Sequence, residues 1–173
     1  MAGSSGTSVE GSCRGAGGKA STADPFRESA KQEETLTDLE APALIDTSVI
    51  VRYLTGDPPE LAVRAAAVID SGRELVLSEV ALVDAAYVLT KVYEAPHDDA
   101  VTALESLVQL RNMRLVGLPK SLVLEALSLC RGSKRHSFAD AILWATARHV
   151  TDSRVVTFDR RFPSQGLKLE GFV

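Results

Sequence analysis

Cysteine is scarce in this sequence, and long apolar segments are absent. The two cysteines, Cys13 and Cys130, provide no paired framework, which predicts a protein without disulfides in a reducing cytoplasm. The amino terminus lacks the basic and apolar regions of a secretory signal, and no uninterrupted apolar run is long enough to span a bilayer. We therefore expect a cytoplasmic protein with no membrane segment.

The motifs of several common enzyme classes are also missing. The sequence contains no glycine-rich phosphate loop, no cysteine or histidine cluster at zinc-binding spacing and no GxSxG nucleophile elbow. It has no repeat at the periods typical of solenoids. Any catalytic chemistry is therefore expected to come from carboxylates.

Residues 1–40 differ in composition from the rest of the chain. They are rich in Gly, Ser, Ala and Thr and have few large apolar side chains, so they are predicted to form a disordered extension. They hold seven acidic and four basic residues, which accounts for most of the formal net charge of -4. Residues 41–173 are nearly neutral and about one domain long, and they are predicted to form a single globular domain.

Short apolar segments alternate with helical patterns after residue 40. The first segment predicts a buried strand that ends at Asp46, with Thr47 or Ser48 capping the helix that follows. Further strands are predicted at residues 74–77, 114–118, 154–158 and 167–169, and further helices begin near Asp57, Ser78, His97, Pro119 and Ser137. This alternation predicts an α/β fold, a three-layer α/β/α sandwich around a mostly parallel sheet of four to five strands.

Asp84 lies in a helical segment that is otherwise apolar. Helical spacing places it one turn from Val80 and from Val88, on a surface whose composition predicts burial. A buried carboxylate without a partner costs on the order of several kcal/mol, so a buried Asp84 would need a partner or a metal ion. The alternative is an aspartate that is hydrogen-bonded or only partly buried.

Three other aspartates each have a structural explanation as well. Asp46 could cap a helix, Asp140 forms an S-x-x-D capping box with Ser137, and Asp159 could be a turn residue after a strand. If the acids converge at one sheet edge, two carboxylates about 4 Å apart repel by roughly 4 kcal/mol and require a cation between them. Oxygen ligands favour Mg²⁺ or Mn²⁺, and such an ion predicts phosphodiester hydrolysis.

Basic residues flank two of these acids. They precede Asp140 and follow Asp159, and they are Arg131, Lys134, Arg135, His136, Arg160 and Arg161. Positive charge beside the acids in a nearly neutral domain favours a polyanionic substrate and salt-sensitive binding. Alternatively, Arg131 complements a helix carboxyl end and the other side chains are solvated.

Four segments carry a family resemblance: ALIDTSVIVRYL, LSEVALVDAAYVLTKVY, HSFADAILWATA and VVTFDRRF. From about residue 43 to its end the chain resembles the PIN-domain ribonucleases, and among them the VapC-like toxins of type II toxin-antitoxin pairs. The resemblance implies that Asp46 and Asp140 are the principal metal ligands and that Asp84 and Asp159 complete the catalytic set. Asp84 stands where the family most often has glutamate, and its shorter side chain implies a less direct contact with the metal.

Residues near the candidate acids also have predicted roles. Ser48 and Thr157 match small hydroxyl positions that orient the acids of such sites. Glu79, in the first turn of the predicted helix after Ser78, is expected to face elsewhere and to favour the helix dipole.

The resemblance implies a Mg²⁺- or Mn²⁺-dependent endoribonuclease that acts on tRNA or ribosomal RNA. It also implies a homodimer and a VapB-like antitoxin whose carboxyl-terminal segment covers the active-site groove. Two alternatives stay open: a PIN-fold module that binds RNA or protein without cutting, and a phosphoacceptor module that uses Asp46. The second is weakened because Ser48 stands where a D-x-D phosphatase motif has its second aspartate.

Overall fold

The alternation of strands and helices is present in a computed structural model of the chain, which describes residues 41–132 and 136–171. The predicted disorder of residues 1–40 lies outside the described residues. The elements run in the order β1 (Ala43–Ile45), α1 (Thr47–Thr55), α2 (Pro59–Ile69), β2 (Leu75–Leu77), α3 (Glu79–Tyr87), a π-helical turn (Val88–Val92), α4 (His97–Gln109), β3 (Met113–Leu115), α5 (Lys120–Cys130), α6 (Phe138–Val150), β4 (Arg154–Val156) and β5 (Lys168–Glu170).

The strands pair in parallel, which confirms the predicted α/β class. β1, β2 and β3 form one sheet in that order, with Ile45, Leu77 and Leu115 in register. β4 and β5 form a separate two-stranded sheet, so the five described strands do not share one hydrogen-bonded ladder. The separate pair is short and partly charged, and an Arg154–Glu170 ion pair joins its two strands.

The two faces of the three-stranded sheet have different surroundings. One face is buried in the core through Ile45, Leu75, Leu77, Met113 and Leu115. The opposite face carries the middle residues of the strands, and Leu44 there is 68% exposed. Successive side chains of a strand point to opposite faces of the sheet. Each residue of β1, β2 and β3 therefore belongs either to the core face or to the open face.

Helix starts agree with the predictions in part. Ser78 and Ser137 are N-caps, and Pro119 directly precedes α5, as predicted. Of the two alternatives for the first cap, Asp46 is correct and Thr47 or Ser48 is wrong, because Asp46 caps α1. Likewise Pro58, not Asp57, precedes α2.

Among the described residues, no helix combines the length and apolar character needed to cross a membrane.

Helix α3 lies at the centre of the helical packing. It contacts α1, α4 and α6, and it buries Ala81, Leu82, Ala85 and Ala86. Helix α6 in turn contacts α5 and β4, and the buried Trp144 donates from Nε1 to the carbonyl of Gln165, 2.8 Å away, in the segment before β5. The elements that carry the candidate acids are therefore neighbours in the fold.

Glu79 has a different structural role from the one expected. It lies in the first turn of α3, as predicted, but its Oε1 also accepts hydrogen bonds from the backbone N–H groups of Gly117 and Leu118, at 2.9 and 2.8 Å. These bonds join the start of α3 to the segment that follows β3. Glu79 therefore stabilises the sheet edge at which Asp46 also lies.

The substitution Glu79→Ala should lower the free energy of unfolding by about 1–3 kcal/mol, because two backbone N–H groups lose a charged acceptor. The matched control is Glu60→Ala, which removes an exposed acid from the first turn of α2. Both variants lose the same helix-dipole interaction, so the difference in their urea unfolding measures the contacts with Gly117 and Leu118. Equal losses would contradict the assigned role.

Candidate active site

Asp46 stands directly after β1 and caps α1. Its Oδ2 accepts hydrogen bonds from the hydroxyl of Ser48 at 2.8 Å and from the backbone N–H of Ser48 at 3.2 Å. These bonds, the hydroxyl bond first, hold the pKa of Asp46 below its ordinary value of 3.8. The helix-cap explanation of Asp46 is therefore correct. The residue is also exposed, so a ligand can reach it.

Asp140 lies in the first turn of α6 and is paired with the N-cap residue Ser137. The hydroxyl of Ser137 accepts from the Asp140 N–H at 3.0 Å and donates to Asp140 Oδ2 at 2.6 Å. The expected capping box is therefore modified, since the carboxylate binds the Ser137 hydroxyl rather than its backbone amide.

Burial, with the nearby charge of Asp140, raises the pKa of the Cys130 thiol to about 12.

Asp159 is held in the turn that follows β4. Its Oδ1 accepts from the backbone N–H of Arg161 at 2.8 Å, and its own N–H donates to the hydroxyl of Thr157 at 3.0 Å. His136 Nδ1 lies 3.0 Å from the Arg161 carbonyl, which joins this turn to the segment before α6. Asp159 and Asp140 are thereby connected through short local contacts.

Of the alternatives for Asp84, the buried carboxylate that needs a partner is wrong. Asp84 is exposed, and its carboxylate has no hydrogen bond or ion pair with any described residue. Val80 and Tyr87 on the same stretch are 79% and 60% exposed. The core takes the opposite face, where alanines allow neighbouring helices to approach closely, so Asp84 needs no buried partner.

A cavity of about 660 Å³ brings two of the four acids together. Asp140 and Asp159 both line it, whereas Asp46 and Asp84 do not. Its other charged or titratable lining residues are Tyr87, Lys91, Glu94, His97, His136 and Arg161. The volume is within the range of small-molecule and nucleotide pockets.

Comparison with known proteins identifies the family. Residues 43–166, more than half of the 173-residue chain, match the PIN domain. The chain belongs to the PIN domain family. No curated protein and no solved structure matches it.

The four candidate acids are carried by elements that touch one another. Helix α3, which bears Asp84, packs against α1, which Asp46 caps, and against α6, which bears Asp140. Helix α6 also contacts β4, which precedes Asp159. Within residues 41–132 and 136–171, however, no three His, Cys, Asp or Glu side chains are arranged to hold a metal ion.

The basic residues near the acids have different surroundings. His136 and Arg161 line the cavity of the PIN domain, and Arg161 Nε lies 3.7 Å from Asp159 Oδ1. Arg131 instead pairs with Glu105 and donates to the hydroxyl of Thr102 on α4. Arg160 is exposed and outside the cavity lining, and Lys134 and Arg135 lie outside the described residues.

Sequence reasoning missed one wall of the cavity. Lys91, Glu94 and His97 line it, from the π-helical turn to the start of α4. Glu94 has a left-handed backbone with φ of 53°, which is uncommon for a residue other than glycine. Nδ1 of His97 is buried without a hydrogen-bond partner among the described residues, and its ring centroid is 4.9 Å from that of Phe138. The only local signal for this wall is Pro96, which predicts a helix boundary and no site.

Removing the Ser48 hydroxyl should raise the pKa of Asp46. In the folded protein this pKa is lowered, so the carboxylate stabilises the fold above its unfolded pKa and loses that contribution as the pH falls through the lowered value. Ser48→Ala should shift the Asp46 titration upward when followed by carboxyl-carbon NMR. Thr157→Ala, which removes a hydroxyl beside Asp159 instead, should leave Asp46 unchanged.

Ser137→Ala should cost about 0.5–2 kcal/mol of stability, because α6 loses its N-cap. Part of that loss should disappear in an Asp140→Asn background, since the bond between the hydroxyl and the carboxylate is then already weakened. Ser78→Ala is the control, because this cap bonds only the Ala81 N–H. Its cost should be the same in both backgrounds, and an unchanged Ser137 cost would contradict the coupling.

Proposed function

We propose that this PIN domain protein is an endoribonuclease that depends on Mg²⁺ or Mn²⁺ and acts as the toxin of a toxin-antitoxin pair. PIN domains are generally metal-dependent nucleases. The observation that supports the proposal most directly is the shared cavity of Asp140 and Asp159, which also contains the cationic side chain of Arg161. Carboxylates that face one cavity with a cation beside them fit a metal ion and a phosphate group together.

The carboxylate oxygens of the candidate acids are donors of the type that a hard divalent ion prefers. Asp46 and Asp140 would hold it, each through the carboxylate oxygen that its serine partner leaves free. Asp159 would complete the set, and exposed Asp84 would act less directly, for example through a water molecule. The ion would lower the pKa of an attacking water and stabilise charge that develops on the phosphate.

The chain's own residues would position the acids and the substrate. The two hydrogen bonds from Ser48 hold the Asp46 carboxylate in place and lower its pKa. Ser137 fixes the direction of the Asp140 carboxylate, and the Arg161 backbone N–H fixes that of the Asp159 carboxylate. The Arg161 guanidinium would attract a phosphate to the cavity. His136, which contacts the Arg161 carbonyl, would keep the turn against α6.

The proposed biological partners rest on the family alone. PIN domains often occur in toxin-antitoxin systems, and this association supports a VapB-like antitoxin, a homodimer and a tRNA or ribosomal RNA target in the cytoplasm. Growth arrest on expression, relieved by the Asp140→Asn substitution, would support a toxin role. Growth that is equally arrested by the variant would contradict a catalytic toxin.

The second candidate is a PIN-fold module that binds RNA or protein without cutting it. It is favoured by the position of Asp84 outside the cavity and by the lack of three metal-holding side chains in the described part of the chain. RNA binding that is independent of metal and is not followed by turnover would support this candidate.

The folded protein should cleave RNA in Mg²⁺ or Mn²⁺ and lose this activity in EDTA. Asp46→Asn and Asp140→Asn should each abolish it, because the ion loses a principal ligand. The matched control Asp152→Asn changes an exposed acid outside the cavity and should retain full activity. Cleavage that survives Asp140→Asn would indicate a contaminating nuclease, and no cleavage of total RNA by the wild type would favour the binding module.

A further inference from the structure

The end of α3 and the cavity wall that follows it present two side chains that have no partner among the described residues. Tyr87, at the end of α3, is 60% exposed, and Lys91, in the following π-helical turn, is also exposed. Neither the Tyr87 hydroxyl nor the Lys91 ammonium has a hydrogen bond or ion pair with a described residue. Both nevertheless line the cavity that contains Asp140 and Asp159.

The backbone of this wall is irregular in two places. Val88–Val92 form a π-helical turn, in which the Tyr93 N–H donates to the Val88 carbonyl at 3.1 Å. Two residues after the turn comes Glu94, with its left-handed backbone. π-helical turns and strained non-glycine residues are frequent at functional sites, where they direct side chains toward a ligand.

The chemistry of the two side chains matches one nucleotide of a single strand. An exposed aromatic ring offers a stacking surface to any base, and an adjacent ammonium offers a contact to the neighbouring phosphate. Tyr87 and Lys91 are four residues apart on a continuous helical segment, so they lie on neighbouring turns of one face. The cavity volume of about 660 Å³ leaves room for a nucleotide beside the acids.

We propose that Tyr87 and Lys91 form a nucleotide-binding subsite for single-stranded RNA, with a base stacked on Tyr87 and a phosphate held by Lys91. The inference rests on the proposed function for the position of the scissile phosphate near Asp140 and Asp159. The stacking and the charge contact themselves need no catalysis. A single strand is favoured over a duplex because the bases of a duplex are already stacked on one another and offer Tyr87 no free face.

The test is the affinity for a fluorescein-labelled single-stranded RNA of about 12 nucleotides, a length within the span of typical single-strand sites. Anisotropy is measured both in EDTA and in Ca²⁺, so that binding is separated from cleavage. Tyr87→Ala should weaken binding roughly 5- to 150-fold, whereas Tyr87→Phe should bind like the wild type because it keeps the ring. Lys91→Ala should lower the slope of log affinity against log salt by about 0.7, the loss of one phosphate contact.

Two control variants change comparable surface residues outside the cavity. Val80→Ala removes an exposed side chain from the same helix, and Arg64→Ala removes an exposed cation from α2. Both should bind the RNA as the wild type does, and thermal unfolding should show that all variants are folded. Equal loss of affinity in the controls would overturn the subsite, because the effect would then be general.

Failure of the proposed subsite and failure of the proposed nuclease activity give different results. The same preparations are assayed for RNA cleavage in Mn²⁺. Wild-type cleavage together with unchanged RNA affinity in Tyr87→Ala and Lys91→Ala would overturn the subsite alone. Affinity that depends on both residues, without any cleavage, would support the subsite and contradict the nuclease. Absence of RNA binding by the wild type in both EDTA and Ca²⁺ would overturn the subsite.

Discussion

The close packing of α3 against α1 and α6 is the interaction on which the arrangement of the acids depends. Helix α3 buries Ala85 and Ala86 completely, and side chains this small allow neighbouring helices to approach. The burial of one face determines what the other face presents to solvent, which includes Asp84 and Tyr87. The same packing places the residues before α1 and at the start of α6 on elements adjacent to α3.

Local hydroxyl groups then orient the acids one at a time. Asp46 is bound by Ser48, and Asp140 is bound by Ser137, in each case within three residues along the chain. Thr157 accepts from the backbone of Asp159, and Gly171 lies against the Thr157 carbonyl so closely that an added Cβ would be 2.9 Å from the oxygen. Asp84 has no such partner among the described residues, which agrees with a less direct role than those of the other three acids.

The parts of the structure that could be predicted are those that local chemistry determines. Ser78 and Ser137 were recognisable as caps because a hydroxyl precedes a helical pattern, and strand positions followed from short apolar segments between helices. The burial of Val80 was predicted wrongly because α3 is apolar on nearly all sides, so its periodicity does not indicate which face packs. The cavity wall from Lys91 to His97 depends on the π-helical turn and on tertiary packing, for which the sequence carries no local pattern.

The most direct test of the account is a crystal structure of the protein grown with Mn²⁺, with anomalous diffraction used to locate the ion. The account predicts an anomalous peak in contact with the carboxylates of Asp46 and Asp140, close to Asp159, and the loss of that peak in Asp140→Asn crystals. Mn²⁺ found only at sites that none of these aspartates contacts would contradict a metal-dependent nuclease centred on them.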